Sequence, residues 1–203
     1  MQTKNQKALT IAALFGYITA QHIGTQKAEY HPNMSLGKCT TDGGCTKESK
    51  SVTMDANWRW LHNIGGYTNC YDGNSWSNTY CPDPDTCSAN CALDGVPAGD
   101  WPSVYGVQTS GDDLSLGFVT KNGETGGMNV GSRTYMMDDA YNYEMFMLKN
   151  QEFTFDVDVS NMPCGVNGAL YFVEMPKDGG KSASAANQAG AQYGTGYCDA
   201  QCP

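Results

Sequence analysis

Positive charge is scarce in this 203-residue chain, where 12 Lys and Arg stand against 21 Asp and Glu for a formal net charge of −9. Nucleic-acid binding needs a basic stripe to displace phosphate counterions, so that class of function is excluded. Histidine is confined to His22, His31 and His62, and no matched pair of Cys-x-x-Cys motifs occurs, which argues against structural zinc. No apolar run reaches the roughly 20 residues that a membrane-spanning helix needs. Helical periodicity is hard to find beyond the first 20 residues. No internal repeat or linker divides the chain, so it reads as one domain or part of one. With 40% apolar and only 16% charged residues, plus 24 Gly, 12 Tyr and 9 Cys, it is neither disordered, collagenous nor coiled coil.

Residues 1–20 carry Lys4 and Lys7, then an apolar run from Ala8 to Ile18, then the small residues Thr19 and Ala20. This is the pattern of a secretory signal peptide. The exported product is expected to be soluble, extracellular and acidic. The cysteines agree, since Cys39, Cys45, Cys70, Cys81, Cys87, Cys91, Cys164, Cys198 and Cys202 sit among Gly, Asn, Asp and Pro, as in a disulfide framework. Nine is odd, so at least one thiol lacks a partner within these residues. Asn33-Met34-Ser35 is a glycosylation sequon.

The recurring period is two. Val52, Met54, Ala56, Trp58 and Trp60 share one face of an extended segment, and Thr53, Asp55, Asn57 and Arg59 share the other. Tyr105, Val107 and Thr109, the turn Ser110-Gly111-Asp112-Asp113, and Leu114, Leu116 and Phe118 predict a hairpin. Phe146 and Leu148, the turn Lys149-Asn150, and Phe153, Phe155, Val157 and Val159 predict another. Ala169–Met175 reads as a further strand, whereas 69–102 reads as stapled loop and 178–197 as a long surface loop. The fold class is therefore all-β, an antiparallel sandwich. Trp58 and Trp60, flanked by Asn57 and Arg59, offer flat faces and hydrogen-bonding groups suited to a sugar. The same alternation would also place both indoles in the core, and periodicity alone leaves the two readings open.

The segments Asp55-Ala56-Asn57-Trp58-Arg59-Trp60, Asn69-Cys70-Tyr71-Asp72-Gly73-Asn74, Phe155-Asp156-Val157-Asp158-Val159, Pro163 to Phe172 and Gly194 to Pro203 resemble glycoside hydrolase family 7. That family comprises secreted cellobiohydrolases and endoglucanases acting on β-1,4-glucan, and the resemblance runs in order from about Gln21 to Pro203. It implies a concanavalin-like β-jelly roll with a glucan groove or tunnel on its concave sheet. It also implies the pairs Cys39–Cys45, Cys70–Cys91 and Cys81–Cys87, with the partners of Cys164, Cys198 and Cys202 lying past Pro203. A further bridge common in fungal members would join positions 24 and 92, which are Gly24 and Ala92 here.

By the same resemblance, Trp58 stacks on a glycone-side sugar and Trp60 receives the chain end at a tunnel entrance. Asn57 and Tyr71 fall in the matching groove and loop segments. Asn129 and Arg133 bind toward the nonreducing side, Asn167 and Tyr171 reach the sugar next to the cleavage point, and Asp199 and Gln201 lie beside the catalytic centre. No metal, cofactor, nucleic-acid or membrane partner is implied, and the full-length protein is expected to be monomeric. The Tyr71–Trp76 loop and Trp60 favour a cellobiohydrolase, whereas Ala200 favours an endoglucanase.

The family's retaining double displacement uses Glu-x-Asp-x-x-Glu, as nucleophile, orienting acid and acid/base. No such motif occurs in these residues; at Glu174-Met175-Pro176 a proline stands where Asp is needed. The chain therefore reads as the N-terminal part, residues 21–203, of a cellulase catalytic domain, inactive by itself. A noncatalytic glucan-binding sandwich is the rival reading. Half a sandwich exposes strand edges and apolar faces. Residues 21–203 produced alone in an oxidising compartment are therefore expected to aggregate; a soluble monomer with a sharp cooperative melt would contradict this.

Overall fold

The structure, a computed structural model, describes residues 21–123 and 126–197. The expected signal peptide and the candidate residues Cys198, Asp199, Gln201 and Cys202 lie outside the described residues. Chain order runs β1 (His22–Ile23), β2 (Asn33–Cys39), β3 (Cys45–Met54), β4 (Leu61–Asn63), α1 (Pro84–Asn90), β5 (Cys91–Leu93), α2 (Asp100–Ser103), β6 (Val107–Ser110), β7 (Asp113–Leu116), β8 (Val119–Lys121), β9 (Met128–Val130) and β10 (Thr134–Met137). β3 lies at the centre of an antiparallel sheet ordered β10-β3-β2. A second sheet is ordered β1-β5-β4, with β1 parallel to β5, and the pairs β6-β7 and β8-β9 are antiparallel. The fold class is all-β, with sheets that do not close among the described residues.

Local chemistry explains the ladders. Ser110 and Asp113 pair across a two-residue loop in which Gly111 takes φ 62°, the positive value that hairpin turns favour. Cys39 and Cys45 are ladder partners at the tip of β2-β3 and are joined as a disulfide. Along β3 exposure falls until Val52, Thr53 and Met54 are all buried. Val52 and Met54 pack with Val96, Trp101, Tyr105 and Val107. Each such side chain contributes about 1.5–3 kcal/mol on burial.

Four sequence expectations meet a different outcome. First, the alternation through Trp60 stops at Met54. Asp55 Oδ1 accepts from Asn57 N at 2.7 Å and caps a 3-10 turn, Ala56–Trp58, which ends the strand, although the half-buried Trp58 still packs against the cluster of Val52 and Met54. Second, 178–197 is not a surface loop, because Ala186, Ala189, Ala191, Tyr193 and Thr195 are buried. Its small residues let backbone lie against β3: Gly194 takes φ 72°, and a Cβ there would strike the Met54 carbonyl oxygen. Third, 69–102 contains α1, capped by the Asp83 carboxylate on Thr86 N at 2.8 Å, and the buried central strand β5. Three residues are too few to display an alternation.

Fourth, neither the 146–159 hairpin nor the 169–175 strand forms a ladder among the described residues. The turn itself is present, with Gln151 N donating to Leu148 O at 3.2 Å and Asn150 at φ 59°. Alternation selects faces, but a strand also needs a neighbour's N–H and C=O groups, which no described residue supplies here. Phe155, Val157, Leu170 and Tyr171 consequently stay exposed. The Phe146, Phe153 and Phe172 rings meet at centroid distances of 5.5, 5.3 and 5.0 Å, and Phe155 lies 5.9 Å from Phe153.

Arg59 also departs from its sequence reading as a sugar-binding group, because its side chain is fully buried. Nε donates to Met54 O at 3.1 Å, Nη1 to Glu29 Oε2 at 2.6 Å, and Nη2 to Glu29 Oε1 at 2.9 Å and Thr53 Oγ1 at 3.0 Å. Burial raises the Glu29 carboxyl, but hydrogen bonds from His31 and Arg59 outweigh it and leave Glu29 below its ordinary 4.5. This pairing is therefore fully stabilising above about pH 4.5 and is lost as pH falls through the lower folded value. Glu29→Gln is expected to cost about 3–5 kcal/mol at neutral pH by leaving Arg59 unpaired, and to flatten the acid limb. Urea unfolding of the two proteins as a function of pH checks both effects.

Candidate functional site

Register brings the central residues of the site together. Thr134 pairs with Met54, so Arg133 and Asp55 lie opposite each other just past the ladder, and Asp55 N donates to Arg133 O at 2.9 Å. Tyr135, opposite Thr53, is the diagonal neighbour of Asp55 on the same face. Asp55 Oδ2 accepts from Arg133 Nε at 2.8 Å and from the Tyr135 hydroxyl, and forms an ion pair with Arg133 Nη2 at 2.8 Å. Burial first, and the Asp55 carboxylate second, push the Tyr135 hydroxyl well above its ordinary range, so it stays a donor.

Aromatic faces close around the guanidinium. Arg133 Cζ lies 3.9 Å from the Tyr197 ring centroid and 5.5 Å from that of Trp58. Trp58 Nε1 donates to Val130 O at 3.4 Å, which sets the indole beside β9, the strand carrying Asn129. Asn129 Nδ2 donates to Gly131 O at 2.8 Å. The Tyr171 and Tyr197 hydroxyls are 3.4 Å apart. Asp55, Asn57, Arg133, Asn187, Thr195 and Tyr197 line an open, polar cleft of about 190 Å³. Asn57, Trp58, Asn129, Arg133 and Tyr171 thus belong to one neighbourhood.

Two further aromatic groups stand apart from it. Trp60 lies 4.1 Å from the His62 ring and 6.0 Å from that of the exposed Tyr67, and its Nε1 donates to Asn69 Oδ1 at 2.7 Å. Tyr71 lies 4.6 Å from Trp76 across a turn in which Asp72 Oδ1 accepts from Asn74 N and Ser75 N. Asn167 is exposed on the unpaired 146–175 segment. Asp55, Tyr135 and Tyr197 escaped the residue reading. The signal for Asp55 was its place between two indole-bearing positions and a strand end, but its pairing with Arg133 depends on a register 78 residues away.

Among the described residues, the sulfurs of Cys70, Cys81 and Cys91 form a compact group. All three are oxidised, in Cys70–Cys91 and Cys81–Cys87, and a disulfide offers no thiolate to a metal. Cys164 is free and exposed.

A guanidinium clamped to a carboxylate, with amides, hydroxyls and the Tyr197 ring, lines a polar cleft beside the half-buried Trp58 indole. The sequence profile of glycosyl hydrolase family 7 matches residues 23–203, and the chain belongs to that family. It is 51% identical to a family 7 cellobiohydrolase from Daphnia pulex, with TM-score 0.86 over 90% of this chain and 41% of that one. A cellobiohydrolase from Melanocarpus albomyces complexed with cellotetraose is 45% identical, with TM-score 0.79 over 90% and 41% of the two chains. The Humicola insolens endocellulase EGI is 39% identical, with TM-score 0.73 over 90% and 44%. The chain thus spans about two fifths of these relatives, and its fold is that part of their β-jelly roll.

Proposed function

We propose that residues 21–203 are the N-terminal part of a secreted cellulase catalytic domain and supply much of its glucan-binding groove. The observation that carries this reading is a polar cleft lined by Asn57 and Arg133, with the Trp58 ring 5.5 Å from the Arg133 guanidinium, in a chain 45% identical to a cellotetraose-bound cellobiohydrolase. In this reading the indoles of Trp58 and Trp60 and the ring of Tyr71 stack on pyranose faces, and Asn57, Asn129, Arg133 and Asn167 hydrogen-bond sugar hydroxyls. Tyr171, Asp199 and Gln201 lie nearest the reacting bond.

The reaction is hydrolysis of β-1,4-glucosidic bonds with retention, by a carboxylate nucleophile and a carboxylic acid/base that are not among these 203 residues. A retaining pair sits only about 5–5.5 Å apart and forms a covalent glycosyl-enzyme. Cellobiohydrolase action is favoured over endoglucanase action by the higher identity to the Daphnia pulex enzyme and by the Tyr71–Trp76 loop.

Two measurements test the proposal. Sequencing the transcript past the codon for Pro203 is expected to reveal an open frame running into Glu-x-Asp-x-x-Glu, with cysteines for Cys164, Cys198 and Cys202. A stop codon there would favour the noncatalytic glucan-binding reading. With the product of the complete reading frame, Trp58→Ala and Trp60→Ala are each expected to weaken cellotetraose binding about tenfold, or ~1.4 kcal/mol. Tryptophan fluorescence titration reads this out, and unchanged affinity in both variants would refute the groove assignment.

A further inference from the structure

We propose that Asp55 is a positioning residue for glucan binding: its buried carboxylate fixes the Arg133 guanidinium between Trp58 and Tyr197 and so presents a rigid, charge-balanced platform to the sugar. The inference rests on the groove reading above but names a residue which that reading leaves out. Asp55 borders the cleft, but its side chain is only 3% exposed and its two oxygens are already engaged, so it acts through its neighbours. It serves two halves of the cleft at once. Oδ1 holds the turn that carries Asn57 and Trp58, through Asn57 N at 2.7 Å. Oδ2 holds Arg133 through Nε and Nη2 at 2.8 Å each, and Tyr135 through its hydroxyl.

The consequence follows from guanidinium geometry. Arg133 is planar, so two anchored nitrogens set the orientation of the whole fork. Its flat face is thereby laid on Tyr197 at 3.9 Å and over Trp58 at 5.5 Å. Without the clamp, a flexible arginine would have to be ordered by the ligand itself, and the lost side-chain freedom would come out of affinity. The segment carrying Tyr197 is fixed independently. Gln192 O accepts from His31 Nε2 at 2.9 Å and Thr53 Oγ1 at 2.9 Å, and Thr195 O accepts from the Tyr143 hydroxyl at 2.7 Å. Removing the Asp55 charge should therefore disturb Arg133 while leaving Tyr197 in place.

Asp55→Asn tests this, because the amide oxygen retains the cap on Asn57 N while its NH2 meets the donors of Arg133 and Tyr135. In the product of the complete reading frame, Asp55→Asn is expected to weaken cellotetraose binding at least tenfold. On an Arg133→Met background the same change is expected to weaken it less than twofold, because the residue it acts through is gone. Tyr135→Phe removes one hydrogen bond from the same carboxylate and should weaken binding about threefold; it answers the question if Asp55→Asn fails to fold.

Affinity within twofold of the parent in folded Asp55→Asn, or in Tyr135→Phe where Asp55→Asn does not fold, overturns the proposal. A tenfold loss that persists undiminished in the Arg133→Met background also overturns it, since Asp55 would then act through the scaffold and not through Arg133. Trp58→Ala separates the two readings. If that variant binds cellotetraose as the parent does, the groove assignment itself has failed; if it loses binding while Asp55→Asn does not, only the positioning role has failed.

Discussion

The Arg59 guanidinium is the constraint on which the remaining structure depends. Its side chain has no exposure, and its donors reach strand β3 at Met54 and Thr53, the Asp94 carbonyl past β5, the Glu29 carboxylate and the Gln192 carbonyl. Four stretches of chain distant in sequence meet at one cation. A buried charge is tolerable only when its hydrogen bonds are filled, so each stretch is obliged to arrive in the right place for the others. A well-packed apolar substitute could match the energy of the pair but would not specify these directions. The Tyr193 ring, 5.0 Å from Arg59 Cζ, closes the remaining side.

That arrangement also explains why β3 departs from a strand with one wet face. Val52 and Met54 turn to the apolar cluster around Trp101, while Thr53 turns to the Gln192 carbonyl. Covering the second face carries Tyr193, Thr195 and Tyr197 across the end of the sheet and brings Tyr197 to Arg133. Core and cleft are thus two sides of one strand end, and the cleft inherits its rigidity from the packing beneath it.

What the residues disclosed by themselves was what short-range physics controls. Gly111 in its two-residue loop, the turn at Lys149-Asn150 and the all-β class were legible because turn chemistry and alternation are local. Burial of Ala189, Ala191 and Tyr193 was not, since Gly- and Ala-rich sequence serves equally well in a solvated loop or against a backbone. The indoles were visible as ligand candidates, and the competing core reading holds in part, since the half-buried Trp58 packs against the Val52 and Met54 cluster. The clamp on Arg133 stayed hidden, because nothing near residue 55 discloses what a register partner 78 residues away will be.

Gly24 closes one edge of the fold by having no side chain. Its amide donates to Leu93 O at 2.7 Å, and a Cβ there would lie 2.7 Å from Asp94 Cγ and 2.9 Å from His62 Nε2, within a pair whose side chains are wholly buried. The space beside this position is filled by that histidine and carboxylate, themselves 2.8 Å apart. A side chain at position 24 would have to push that pair aside, so bare backbone at Gly24 is what lets the pair pack against β1.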